Sequence, residues 1–111
     1  MAETTLAELF PGASQDSTMI MIPKSALPTL TAMAENRAEA LLAAIVIRAN
    51  EVFTPAARDA DPTRSVVIER DTPRIDRVFS STGAESNYLV RALSVNLYEP
   101  FVDTPWDADN Y

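Results

Sequence analysis

One segment of this chain, Asn36 to Phe53, is long and regular enough to persist as a helix. Everything else is cut into short pieces by eight prolines, two glycines and polar turns. At about 100° per residue, Ala38, Leu41, Leu42, Ile45, Ala49, Val52 and Phe53 fall on one stripe, flanked by Arg37, Arg48 and Glu51. The opposite side holds Ala40, Ala43 and Ile47, with Glu39 and Asn50 at its edge. Ile47 lies almost opposite the stripe, which fits either a helix covered on both sides or an alanine-rich solvent face. Thr54-Pro55 then restarts the chain as a short turn, with Thr54 suited to the cap and Pro55 to the first helical position. Pro62 limits that turn, because the residue before a proline disfavours helix.

The remaining apolar pieces alternate or are β-branched. Thr18–Ile22 reads as a short strand at a sheet edge, since Pro23 has no N–H to give a ladder. Ser65–Glu69 and Arg74–Ser80 read as strands around an Asp71-Thr72-Pro73 turn. Thr82-Gly83-Ala84 is the next turn, and Asn87–Tyr98 is the longest strand. Its odd positions Leu89, Leu93, Val95 and Leu97 are expected to face the core, and Tyr88, Ala92, Ser94, Asn96 and Tyr98 to face out. One helix with three or four short, mainly antiparallel strands predicts a two-layer α+β domain over residues 18–102, with the helix on one sheet face. A length of 111 residues suits one such domain.

Both ends carry large apolar side chains without the length for a core of their own. Residues 1–17 read as an arm with a short helix at 3–10, capped by Thr4 or Thr5 and stopped at Pro11-Gly12. One or two turns do not hold alone in water, so this helix needs Leu6, Leu9 and Phe10 to dock on something. Residues 103–111 read as an acidic arm containing Trp106, the only tryptophan, and ending on Tyr111. Trp and Tyr favour interfaces, and exposed apolar groups invite association. Met19 and Met21, alternating with Ile20 and Ile22, form either an adaptable strip for a partner strand or plain edge-strand packing. The expected partner-binding residues are therefore Leu6, Leu9, Phe10, Met19, Met21, Ile47, Trp106 and Tyr111.

The residue inventory narrows the chemistry. With no His and no Cys, the chain has no imidazole or thiolate metal ligand, no Ser-His or Cys-His nucleophile pair and no disulfide. Asp103, Asp107 and Asp109 lack the later bidentate carboxylate of a calcium loop, so no metal and no cofactor are expected. A net charge of -7 argues against nucleic acid and anionic membrane as partners. The arginines at 64, 70, 74 and 77 are interleaved with Glu69, Asp71 and Asp76, a salt-bridged strand pair rather than a phosphate site. The longest unbroken apolar run, Ala40–Ile47, is far short of the ~20 residues of a membrane span. No enzyme is expected.

Five stretches resemble a small group of cyanobacterial and cyanophage proteins: TLAELFPGASQDST (Thr5–Thr18), TMIMIPKSAL (Thr18–Leu27), AEALLAAIVIRA (Ala38–Ala49), VNLYEP (Val95–Pro100) and DADNY (Asp107–Tyr111). The resemblance implies a virion protein of a tailed cyanophage, a capsid cement (decoration) protein on the outside of the major capsid protein shell. It would be made in the host cytoplasm and associate with copies of itself, as a trimer or another homo-oligomer. A neck, tail or baseplate component and a small acidic host-directed adaptor are the alternatives. On this reading, removing residues 1–13 leaves the domain folded and weakens its attachment.

Overall fold

The structure, a computed structural model, describes residues 4–99 and 108–111. It begins with α1 (Leu6–Leu9), β1 (Ser14–Gln15) and β2 (Ile20–Met21), followed by a 3-10 turn at Lys24–Ala26. The helices α2 (Ala38–Val52) and α3 (Pro55–Ala60) come next. Four strands follow: β3 (Val66–Arg70), β4 (Arg74–Phe79), β5 (Glu85–Val90) and β6 (Leu93–Leu97). The architecture is α+β, as expected.

The core lies between α1, the 3-10 turn and α2. Phe10, Ala26, Leu27 and Ala44 are buried there, with Leu6, Leu9, Ala13, Ile22, Leu30 and Ile45 packed around them. The expectation of a separate N-terminal arm is thereby corrected. Phe10 is only 5% exposed and sits in the central cluster of its own chain. The physical reason is the one that demanded docking: four helical residues gain too few hydrogen bonds to stand alone. Thr5 caps α1 through its side chain, which accepts from the Glu8 N–H. The Arg48 guanidinium of α2 donates to the Leu9 and Glu8 carbonyls at 2.7 and 3.3 Å, satisfying the open end of α1. Gly12 turns the chain back at φ 85°, and a Cβ there would meet Pro23 Cγ at 3.2 Å. Residues 5–13 therefore belong to the fold, and their loss is expected to open the core.

The strands form three two-stranded antiparallel pairs, β1–β2, β3–β6 and β4–β5, rather than one sheet of three or four. The β1–β2 turn is held by the Asp16 carboxylate, which accepts from the Thr18 N–H and hydroxyl and the Met19 N–H. These bonds hold the Asp16 carboxyl below the usual carboxylate range, the Thr18 N–H contributing most.

The other two pairs are successive stretches of one ribbon. Val66 faces Leu97 and Arg70 faces Leu93, whereas Arg74 faces Val90 and Phe79 faces Glu85. Between the Asp71 N–H to Ala92 carbonyl bond and the Arg74–Val90 pair, Thr72 and Pro73 stand opposite Arg91 alone. That is a β-bulge, and it places the proline where no ladder donor is needed. The predicted single strand 87–98 is accordingly two strands, β5 and β6, meeting at the bulge.

The helix meets the edge of the ribbon and not its face. The Ile68 N–H donates to the Phe53 carbonyl at 2.7 Å, and the Ile68 carbonyl accepts from Asn50 Nδ2 at 2.8 Å. Val67 and Ile68 are buried at this junction. Leu89, Val95 and Leu97, expected in the core, are exposed, with no layer over them among the described residues. The radius of gyration, 17.6 Å, exceeds the roughly 13 Å of a compact chain of this length.

Candidate interaction surface

The distal ribbon, β4 with β5, carries a cluster of exposed apolar side chains among the described residues. Its β-branched and aromatic content favours strands, and the Ser80–Ala84 turn closes it. In that turn the Gly83 N–H donates to the Ser80 carbonyl, the Ser80 N–H donates to the Ala84 carbonyl, and Gly83 sits at φ 84°. This is the three-residue hairpin loop in which the last position needs a left-handed residue. The pleat sorts the side chains into two faces. One carries Ile75, Arg77, Phe79, Glu85, Asn87 and Leu89, and the other carries Arg74, Asp76, Val78, Ser86, Tyr88 and Val90.

Both faces contain apolar side chains in water. Ile75 is 69% exposed, Phe79 65% and Tyr88 57%, and Leu89 and Val78 are exposed beside them. The ion pairs Arg74–Asp76 at 3.4 Å and Arg77–Glu85 at 3.5 Å are solvent-exposed, each worth about 0–1 kcal/mol. A two-stranded hairpin without a covering layer is marginal in water. Among the described residues no element covers either face of this one.

A groove of ≈ 770 Å³ runs between α2 and the base of the ribbon. Leu42, Val46, Ile47, Pro73 and Leu93 supply its apolar walls, and Glu39, Asp71 and Arg91 stand among them. Its floor is fixed by Asn50, buried between the Ile68 carbonyl and Arg70 Nε, which donates to Asn50 Oδ1 at 2.7 Å. Ser94 Oγ donates to the Asp71 carboxylate at 2.9 Å, tying the two sides of the bulge together.

The predicted binding residues are scattered. Phe10 is buried in the internal core, and Leu6 and Leu9 are half-buried against it. Met21 on β2 is exposed and pairs with Ser14 of β1, and Met19, just before β2, is exposed too. Ile47 is half-buried in the groove wall. Tyr111 is partly buried, lying with Thr4, Phe53, Ser65 and Val66 around a small depression. Trp106 lies outside the described residues, as do Asp103 and Asp107 of the acidic end. Ile75, Phe79 and Leu89, exposed on the ribbon, are not among the expected binding residues. Of these only Leu89 was expected to face the core; Ile75 and Phe79 share their side of the strand with Arg77.

No three acidic side chains gather into a metal site among the described residues. Residues 38–60 together have the length and mean hydropathy of a membrane span. The chain leaves the helix at Phe53 and Thr54, however, so α2 with its 15 residues covers only ~22 Å against a ~30 Å hydrocarbon layer. No protein-family model, no curated protein and no solved structure matches this chain.

Proposed function

We propose that this chain is a non-enzymatic structural protein, a capsid cement protein that uses its ribbon to bridge neighbouring subunits on the outside of a major capsid protein shell. The observation that carries the reading is the β4–β5 hairpin, which exposes apolar side chains on both faces. A lattice offers every copy the same neighbours, so a few docked side chains per molecule add up through effective concentration. The resemblance of Thr5–Thr18 and Ala38–Ala49 to cyanophage virion proteins supplies the shell as the lattice. The attachment residues move from the N-terminus to Ile75, Phe79, Tyr88 and Leu89.

The test is binding to purified shells. Ile75→Ser with Phe79→Ser is expected to remove most attachment while leaving the thermal transition in place. Undiminished binding of that variant defeats the reading. Copy number separates shell from neck or tail, since a cement protein occupies hundreds of sites per particle.

One observation favours a second reading, the acidic adaptor. The N-terminal segment folds onto its own domain, as expected of a self-sufficient monomer. Sizing of the isolated protein at low concentration discriminates, because the adaptor stays monomeric.

A further inference from the structure

The two long edges of the ribbon differ. The β3–β4 edge is covered at Ile68 by α2, is interrupted by Pro73, and carries Glu69, Arg70, Asp71, Arg74, Asp76 and Arg77. Charge, proline and cover are the devices that keep an edge from pairing with other strands. The β5–β6 edge is less protected: among the described residues no element covers it along Glu85–Val90. Between Glu85 and Leu97 its only charge is Arg91, and it contains no proline.

That edge is also continuous. The Ala84, Ala92 and Tyr98 ladder bonds run to Ser80, Asp71 and Ser65, so even-numbered residues of both strands turn their backbone groups inward. Alternation then turns the odd-numbered residues outward. The extra residue of the bulge sits in the opposite strand, so the phase is not broken. Glu85, Asn87, Leu89, Leu93, Val95 and Leu97 all present N–H and C=O to the same side.

We propose that the β5 edge pairs antiparallel with the β5 edge of a second copy about a two-fold axis at Tyr88, making a four-stranded sheet. Charge selects this register. It sets Glu85 against Arg91 of the second copy, and by symmetry does so twice. Centring on Arg91 would oppose two arginines, and centring on Ala92 would oppose Glu85 to Glu99. Centring on Val95 would bring the second ribbon onto the stretch where Tyr111 lies beside Val95–Glu99. Glu85 already contacts Arg77 at 3.5 Å, but this exposed pair is weak enough to be shared or exchanged.

The two-fold runs perpendicular to the sheet and therefore keeps like faces together. Ile75, Phe79 and Leu89 of both copies join into one apolar surface, with Val78 and Tyr88 of both on the other. Tyr88 meets its twin at a non-hydrogen-bonded position, where Cα atoms approach to about 4.5 Å and side chains pack closest. The inference deepens the assembly reading by naming one partner, and rests on it only for the premise that the ribbon docks.

The chain has no cysteine, so Tyr88→Cys introduces a single thiol. The ~4.5 Å spacing suits a disulfide. Mild oxidation of Y88C is expected to convert most of the protein to a covalent dimer, whereas Arg77→Cys, exposed on the far strand, stays monomeric. Glu85→Arg and Arg91→Glu should each weaken the dimer about tenfold in sedimentation, and the double variant should restore it. Equal crosslinking of R77C and Y88C overturns the proposal, as does unmodified protein that remains monomeric up to about 100 µM. Shell binding by a strict monomer would sink the pairing alone. A dimer that ignores shells would sink the capsid reading alone.

Discussion

Asn50 joins the helix to the ribbon, and its side chain uses both ends to do so. Its amide nitrogen satisfies the Ile68 carbonyl and its oxygen receives Arg70 Nε, in a site almost closed to water. Replacing it with Ala removes two bonds and leaves the buried carbonyl without its donor, a loss of about 1–3 kcal/mol. Urea denaturation of Asn50→Ala should show that drop with an unchanged slope. Asp61 is the second residue of this kind. Its carboxylate accepts from the Thr63 hydroxyl and N–H and stands 3.8 Å from Arg64. The Thr63 hydroxyl is the largest influence holding its carboxyl below the usual range, against the opposing effect of burial. A carboxyl with a lowered folded-state pKa stabilises the fold above the unfolded value, near pH 4, and loses that contribution as pH falls through the folded value. Stability followed by urea midpoint between pH 6 and pH 3 should therefore fall in wild type and fall less steeply in Asp61→Asn. Neither role was legible in the sequence, where Asn50 stood at the edge of a helix face and Asp61 preceded a proline. Asn50 depends on contacts that only the chain's return brings together, whereas the partners of Asp61 stand two and three residues further on.

Elements were more legible than their packing. Thr54 caps α3 by accepting from the Ala57 N–H, and Pro55 occupies its first turn, as local chemistry dictates. The strands at 66–70 and 74–79 follow from β-branched content, and the turn at Gly83 from its need for positive φ. What local pattern does not encode is the partner of a face. Leu89 and Val95 alternate like core residues, and nothing in that alternation says whether the covering layer belongs to the same chain. The one-residue offset at Thr72-Pro73 has the same character. A turn and a bulge share their composition, and only pairing tells them apart. The ribbon is thus an element whose sequence alternates as if for burial and which the described residues leave exposed.

At the scale of the molecule, two phenylalanines with similar sequence surroundings have opposite assignments, and comparing them tests the whole account. Phe10 follows Leu6 and Leu9 and is 5% exposed among Ala26, Leu27 and Ala44. Phe79 follows Ile75 and Val78 and is 65% exposed near the ribbon tip. Removing a buried aromatic side chain costs the lost transfer energy plus the cavity left behind, about 3–5 kcal/mol, a large share of the stability of a domain this size. Removing an exposed one from a hairpin leaves the isolated fold within about 0.5 kcal/mol. Phe10→Ala is therefore expected to lower the unfolding midpoint steeply, and Phe79→Ala to leave it almost unmoved. Binding should reverse the order once loss of folded protein is corrected for, with Phe79→Ala the variant that fails to assemble. A calorimetric scan beside a shell-binding assay on the two variants reads both quantities. If Phe10→Ala stays fully folded and loses attachment instead, the N-terminal segment is an arm after all, and its place in the internal core is wrong.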